Sequence, residues 1–365
     1  MARSLRLLLF MTLILSIACA VVAGIVENGL VTSFTVLHVF LFNLTCGGLL
    51  IVTYLWNRRD LALEGATFYV ACLVFSFAAA FGSFLLAVVS ALILSAMVEF
   101  TRWRKFSFFP LDFFKKRPTS EKFEQASLLC LSIGLFICAL AMLNNHYLEF
   151  FQLEKLDLHV FFLGFSFPIS LMNFSFLFRG IEKSGRAYSR ALSEFCFWGL
   201  NIGVIFFFFF IIFKAYPYQL LMALVLFATV IVVTYYHVKK SERNFQWSLL
   251  LSSLCFLVLG SLTGIAYILV LWLFPHYPSG YVLSLHSAAT LFGWNLTWII
   301  LAVRAEEPPP AIRARYVIIV HWVFVLLLPA ARESVIFGLA ALVPYFLLLT
   351  TMFFLKGKPA TPERL

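Results

Sequence analysis

Long apolar runs follow one another along almost the whole chain, and their length limits what it can fold into. A helix that crosses a bilayer needs about 20 consecutive apolar residues. Apolar residues make up 62% of this chain and charged residues only 12%, whereas a soluble domain carries about 25% charged residues. We therefore predict an all-α polytopic membrane protein, a single transmembrane domain over residues 1–365 with about twelve transmembrane helices. The predicted spans are 5–26, 31–56, 61–80, 83–101, 124–146, 157–178, 191–213, 217–236, 246–273, 281–303, 316–331 and 335–355.

The stretch from Leu61 to Glu99 is too long for one span, and its division decides the orientation of every later helix. We divide it at Phe81–Ser83, where glycine and serine permit a tight turn. With this break and an inner N-terminus, 24 of the 27 Lys and Arg residues fall on the inner side, as the positive-inside rule requires. We therefore predict that both termini lie inside and that the protein resides in the cell's inner (plasma) membrane. The exceptions are Lys155, Lys214 and Arg332.

Other properties of the sequence narrow the classes of function. The net charge of +10 does not indicate nucleic-acid binding, because no segment is long enough for a basic water-exposed domain. The longest loop, 103–123, is basic and aromatic and is predicted to lie along the anionic inner leaflet of the bilayer. The seven cysteines lie in apolar runs without a CxxC pair, which favours buried thiols over a zinc site. Residues 1–26 are interpreted as the first helix, with a cleaved signal peptide as the alternative.

Three of the seven histidines share a setting. His38, His159 and His286 each lie within about two turns of the outer start of a helix, and a glycine follows each within a few turns. They are 121 and 127 residues apart, on the second, sixth and tenth helices. This spacing predicts a pseudo-threefold repeat of three groups of four helices. Ionisable groups inside a membrane usually face the bundle interior and serve a function, and imidazole is a common metal and haem ligand.

A structural role for these side chains stays open at this stage. Near the water boundary a histidine can simply form hydrogen bonds between helices. His321 lies deeper, in the middle of the eleventh helix, and has no partner in the repeat. It is either a further metal ligand or a hydrogen-bonded core residue, and the core role is slightly favoured.

The arrangement resembles the catalytic subunit of the haem-copper oxidase superfamily and the twelve-helix NnrS-type haem proteins. In the oxidase family, helices two and ten each supply an axial ligand to a low-spin haem, which the resemblance assigns to His38 and His286. Helix six supplies a copper ligand, and His159 takes that place. An outer arginine after helix eleven pairs with the haem propionates, a role that the resemblance gives to Arg332. The run from His286 to Gly293-Trp294 is similar to the family's helix-ten motif.

The sequence also departs from the oxidase pattern at the copper site. The seventh span, 191–213, contains no histidine, where the family has two adjacent copper ligands. Leu163 replaces the tyrosine four residues after the helix-six histidine, and Ala288 replaces the second histidine of the helix-ten pair. The resemblance therefore implies a haem b protein that serves electron transfer or the handling of NO or O2 without the family's oxygen-reducing centre. Copper at His159 is the less favoured addition, and a quinone or a periplasmic cytochrome is the implied electron partner.

Two other classes of function remain as alternatives. A secondary transporter would also suit twelve helices, but charged residues are few inside the spans, with Glu99 and Glu194 near the inner boundary. A non-catalytic subunit, in contact with other membrane subunits of a respiratory complex, is the third interpretation. Nucleophile elbows, phosphate-binding glycine loops and HExxH zinc motifs are absent from the sequence, and whether the protein is an enzyme is left open.

Overall fold

A computed structural model describes residues 1–23, 30–56, 61–151, 161–184, 189–276, 280–305, 307, 310–332 and 334–357. Eleven helices in this part of the chain are long and apolar enough to cross a membrane, and a further helix occupies the place of the sixth predicted span. The protein is a multi-pass, all-helical membrane protein. Numbered in chain order, the helices are α1 (Arg3–Ala23), α2 (Val31–Leu55), α3 (Leu63–Ala80), α4 (Phe84–Lys105), α5 (Thr119–Leu148), α6 (Phe161–Lys183), α7 (Arg190–Ile212), α8 (Tyr216–Lys240), α9 (Phe245–Leu273), α10 (Gly280–Val303), α11 (Ala314–Ala331) and α12 (Val335–Phe354).

The break that was predicted at Phe81–Ser83 separates α3 from α4. Gly82 has a φ of 79°, in the left-handed region that glycine adopts without a steric penalty. The N–H of Ser83 donates to the carbonyl of Ala78 at 2.8 Å, a bond that closes a helix C-terminus around a left-handed residue. The local sequence therefore ends α3 and reverses the chain in three residues.

Helices α2 and α10 form the centre of the bundle. In their most apolar 18-residue windows, 89% of α2 and 78% of α10 are buried, compared with 22–56% in the nine other spans for which this fraction is known. Helix α6 also buries an unbroken run, residues 171–178. The peripheral helices expose large apolar side chains, for example Ile205 and Phe209 of α7, as lipid contact requires. The three helices on which the sequence places the shared histidines are thus the interior helices.

A network of ion pairs and hydrogen bonds joins five helices at the end of the bundle where α4 ends and α5 begins. This end of the bundle is called the basic end. The buried carboxylate of Glu124 on α5 accepts from Lys105 of α4 at 2.7 Å and from Arg179 of α6. Arg179 also donates to the hydroxyl of Tyr54 on α2. Lys122, itself buried, pairs with Glu194 of α7 at 2.6 Å. Charges buried in this way are tolerated because each has an opposite partner. The network fixes the neighbouring helices around the C-terminal end of α2, where Tyr54 lies.

Candidate functional site

His38 is buried on α2 and is held by a single residue of α1. Its Nδ1 lies 2.8 Å from the carbonyl oxygen of Ser16 and 3.0 Å from the Ser16 hydroxyl. The Ser16 hydroxyl donates in turn to the His38 carbonyl at 2.9 Å. Because a carbonyl can only accept, Nδ1 must carry the proton, and Nε2 keeps its lone pair. The contact therefore fixes both the orientation and the tautomer of the imidazole.

His286 on α10 is held in the same manner by α9. Its Nδ1 donates to the carbonyl of Gly260 at 2.8 Å, which again leaves Nε2 with its lone pair. Two glycines one turn apart allow this close approach. A Cβ at Gly264 would lie 3.1 Å from the imidazole ring, and a Cβ at Gly260 would run into the methyl group of Thr290. Small residues at this spacing are typical of tightly packed membrane helices.

Helices α2 and α10 share a second feature, an eight-residue π-helical segment soon after the histidine. Leu41–Gly48 follows His38 in α2, and Ala288–Asn295 follows His286 in α10. π-Helical segments of this kind are rare and occur often at functional sites. In both cases, therefore, a helix that precedes the histidine in the sequence supplies the carbonyl, and a widened helical turn follows the imidazole.

Side chains from two neighbouring helices bind the carbonyls of the π-segment in α10. His321 of α11 donates through Nε2 to the carbonyl of Phe292 at 2.7 Å. Asn173 of α6 donates to the carbonyl of Trp294 at 2.6 Å. A backbone carbonyl buried inside a membrane protein needs a hydrogen-bond donor. In a π-segment the backbone hydrogen bonds are shifted by one residue, and side-chain donors can pair with the carbonyls. His321 therefore stabilises the backbone of α10, in keeping with the core role that the sequence favours for it.

Phe292 of α10 lies between His38 on α2 and aromatic side chains of α11 and α12. Its ring stacks on the His38 imidazole, with 5.6 Å between centroids and an interplanar angle of 25°. It also meets Phe42 and Phe324 edge-on, each at 5.2 Å, and Tyr345 at 6.0 Å. Phe292 is 3% exposed, so it closes the space beside His38 with an aromatic cluster.

Two of the predicted site residues lie wholly or partly outside the described part of the chain. His159 lies outside the described residues. The backbone of Arg332 ends the short 3-10 turn Leu328–Arg332, which packs against the first part of α10, where His286 lies. The side chain of Arg332 lies outside the described part.

Several polar atoms inside the bundle lack a partner among the described residues. They include both side-chain atoms of Asn43, in the π-segment of α2, and the indole N–H of Trp294, in the π-segment of α10. Gln125 of α5 also leaves its amide unpaired. Burial of an amide without a hydrogen-bond partner costs on the order of 1–3 kcal/mol of folding free energy. Asn43 is therefore an exception to the rule that buried polar groups are paired.

Sequence reasoning missed the residues that hold the histidines in place. Ser16 and Gly260 act through their backbone carbonyls, which no side-chain pattern reports. The one available signal is the Gly-x-x-x-Gly spacing of Gly260 and Gly264, which marks a close helix contact. Neither Asn173 nor Phe292 is singled out by the sequence as a site residue.

Among the described residues, no three His, Cys, Asp or Glu side chains come close enough together to hold a metal ion. His38 and His286 are two separate imidazoles, each with an Nδ1–H bond to a backbone carbonyl of the preceding helix. No family model matches the chain, and no curated protein or solved structure is significantly similar to it.

Proposed function

We propose that the protein binds haem b through the Nε2 atoms of His38 and His286 and serves electron transfer or the handling of NO or O2. The observation that carries the proposal is the matched pair of Nδ1–H bonds, to the Ser16 carbonyl at 2.8 Å and to the Gly260 carbonyl at 2.8 Å. Metal-bound histidines almost always donate the other ring N–H to a carbonyl or carboxylate. Both imidazoles therefore have the tautomer that a metal ligand requires, with the lone pair on Nε2.

Two imidazoles are the donor set that a low-spin haem requires, and an aromatic ring packs beside one of them. Each imidazole comes from a different central helix, which is sufficient ligation for a b-type haem. The ring of Phe292 stacks on the face of the His38 imidazole, whereas iron would bind in the plane of that imidazole at Nε2. Phe292 would therefore lie beside a bound haem and support the orientation of His38. When bound, haem would supply a one-electron carrier, and the residues of the chain would orient it and exclude water.

The remaining features are assigned within the same proposal. The chain consists of three groups of four helices in the cell's inner membrane, and both of its termini lie on the inner side. Arg332, beside the start of α10, pairs with the haem propionates. His159 lies next to the haem as a polar neighbour, with copper ligation as the less favoured role. A quinone or a periplasmic cytochrome exchanges electrons from the outer side, and other membrane subunits are possible neighbours.

The absorption spectrum of the purified protein tests the proposal. Protein from haem-replete cells, reduced with dithionite, is expected to show the Soret and alpha bands of a six-coordinate b haem. His38→Ala and His286→Ala should each abolish this spectrum or convert it to that of a five-coordinate haem. His276→Ala is the matched control, because this histidine is exposed at the end of α9 and should leave the bands unchanged. A colourless wild-type preparation would exclude haem binding.

A secondary transporter is the second candidate, and one observation favours it. Transporters often bind substrate where helices are interrupted at matching positions of two repeats, and α2 and α10 both carry a π-segment. Asn43 lies in the first of these segments with its amide unpaired. Charge movement by haem-free protein on a solid-supported membrane, after a sodium or proton jump, would favour the transporter. Loss of that current in Asn43→Leu would locate the transport site.

A further inference from the structure

A cavity of about 260 Å³ opens at the basic end of the bundle. It lies where the loop that precedes α5 meets the end of α6 and the start of α7. This cavity, called the basic cavity below, is separate from the two histidines, which lie toward the opposite end of α2 and α10. It is lined by Lys116, Arg117, Pro118, Thr119, Glu182 and Arg190.

The charges around the basic cavity leave an excess of positive charge. Its single carboxylate, Glu182, is already engaged by the backbone N–H and hydroxyl of Ser120. Arg117 shares its charge with two other carboxylates at 3.4–3.5 Å. Lys116 and Arg190, both exposed, form no ion pair among the described residues. Lysine and arginine side chains around a concave surface attract an anion, and a phosphate group matches their donors.

Exposed apolar side chains lie on the loop that contributes Lys116 and Arg117 to the basic cavity. Phe109 is 65% exposed and Phe114 is 77% exposed, although both are large and aromatic. The ring of Phe114 lies 5.3 Å from that of Trp198 on α7, so the aromatic surface continues onto a membrane helix. Phenylalanine beside lysine and arginine is the composition of a segment that lies in the interface of an anionic bilayer. A soluble anion would use the charges but not this apolar surface.

The loop that carries these side chains is a built structure. The buried carboxylate of Asp112 accepts from the N–H and hydroxyl of Ser107 at 2.9 and 2.7 Å and from Lys115 at 2.8 Å. Burial acts to raise the pKa of Asp112, but the bonds to Lys115 and Ser107 and the charge of Arg117 outweigh it and lower the pKa below its ordinary value. Asp112 is thus ionised at neutral pH and fixes the conformation of the loop that carries Phe114 and Lys116.

We infer that the basic cavity binds the phosphate of an anionic phospholipid, with the acyl chains of that lipid lying along Phe109, Phe114 and Trp198. Basic pockets between membrane helices on the positively charged side are suited to such headgroups. The bound lipid would join the loop before α5 to the start of α7. The inference is independent of haem binding, because it uses none of the histidine ligands.

Native mass spectrometry of the full-length protein in detergent tests this inference, with phosphatidylglycerol and phosphatidylcholine as the added lipids. Phosphatidylglycerol is expected to bind at a defined stoichiometry and phosphatidylcholine much more weakly. The double variant Lys116→Gln/Arg190→Gln should weaken phosphatidylglycerol binding about 25-fold, about fivefold for each basic side chain near an anionic surface. Arg313→Gln removes an exposed charge from another loop of the same end and should leave binding unchanged.

The possible outcomes separate the sources of the phosphate. Unchanged phosphatidylglycerol binding in the double variant, with a monodisperse gel-filtration profile, would overturn the inference. Displacement of the lipid by millimolar inorganic phosphate would assign the cavity to a soluble phosphate compound and would also overturn it. Retention of the lipid in the presence of phosphate, together with weaker binding in Phe114→Ser, supports a lipid site.

Discussion

Helices α2 and α10 place similar histidines ahead of similar π-segments, yet they are secured in different ways. On α2, His38 is 8% exposed and contacts both the carbonyl and the hydroxyl of Ser16. On α10, His286 is less buried and has one carbonyl partner, that of Gly260. The π-segments differ in the opposite sense. That of α10 receives N–H donors from α6 and α11 at 2.6 and 2.7 Å. That of α2 has weaker contacts with α3, from the Cys72 thiol at 3.9 Å and between Thr45 and Ser76 at 3.3 Å, and it carries the unpaired amide of Asn43.

The difference suggests a division of roles between the two helices. Polar contacts from two other helices hold α10 at the level of its π-segment, and buried hydrogen bonds of this kind favour one arrangement, although the indole N–H of Trp294 has no partner among the described residues. In α2, every residue of the π-segment is buried, and its position depends on apolar packing, on the weaker contacts of Leu44 and Thr45 with α3, and on Ser16. We expect α10 to be the more rigid of the two and α2 to be the more tolerant of substitution along its π-segment.

Substitution of the glycines in the π-segments should give the largest difference between the helices. In Gly293→Ala, the new Cβ would lie 2.6 Å from the Cβ of Phe256 on α9, an atom that cannot move without the backbone. In Gly47→Ala, the new Cβ would meet the outer atoms of Ile169, including Cγ1 at 2.8 Å, and a rotamer change can relieve the overlap. Overpacking costs about 1–3 kcal/mol or more, and we expect the upper end for Gly293 and a smaller loss for Gly47.

The measurement is the apparent unfolding temperature of each purified variant in the same detergent. Gly164→Ala is the matched control, since a Cβ at that position of α6 would meet no atom of another described element within 4 Å. Equal losses for Gly47→Ala and Gly293→Ala would contradict the proposed difference between α2 and α10.

Asparagine-to-leucine substitutions sharpen the comparison at a smaller scale. Asn295, at the end of the π-segment of α10, accepts from Ser170 at 2.8 Å and donates to the carbonyl of Ser166 at 3.0 Å. Asn295→Leu removes both bonds and leaves that carbonyl without its side-chain donor, so we expect a loss of about 1–2 kcal/mol. Asn43→Leu removes an unpaired buried amide and is expected to be neutral or stabilising.

The same unfolding assay compares the two asparagine variants, whose side chains change alike in volume. A stabilised Asn43→Leu that keeps full haem content would mark Asn43 as a packing defect. A destabilised Asn43→Leu would mean that Asn43 has a partner in the folded protein, and the contrast with α10 would then fail.

The helices could be predicted closely from the sequence, whereas the contacts of the site could not. Hydropathy determines where a chain can cross a bilayer, and Gly82 marks the turn within the longest apolar stretch, so the helical spans follow from local composition. The start of α5 at Thr119 was missed by five residues, because its first turn is polar and joins the ion-pair network of the basic end. The histidine partners are backbone carbonyls brought near by packing, and a π-segment depends on tertiary donors such as Asn173 and His321. Such features have no signature in one sequence.

The smallest effect is expected from Ser16→Ala, and it tests which atom of Ser16 matters. The substitution removes the hydroxyl at 3.0 Å from His38 Nδ1 but leaves the carbonyl at 2.8 Å, which fixes the tautomer. We expect a loss of unfolding free energy of about 0.5–1 kcal/mol and unchanged haem content and absorption bands. Conversion to a five-coordinate spectrum would instead assign the orientation of His38 to the hydroxyl. His286 has no hydroxyl partner of this kind among the described residues, so α2 and α10 would then hold their ligands by different means, and the symmetry of the two carbonyl contacts would lose its functional meaning.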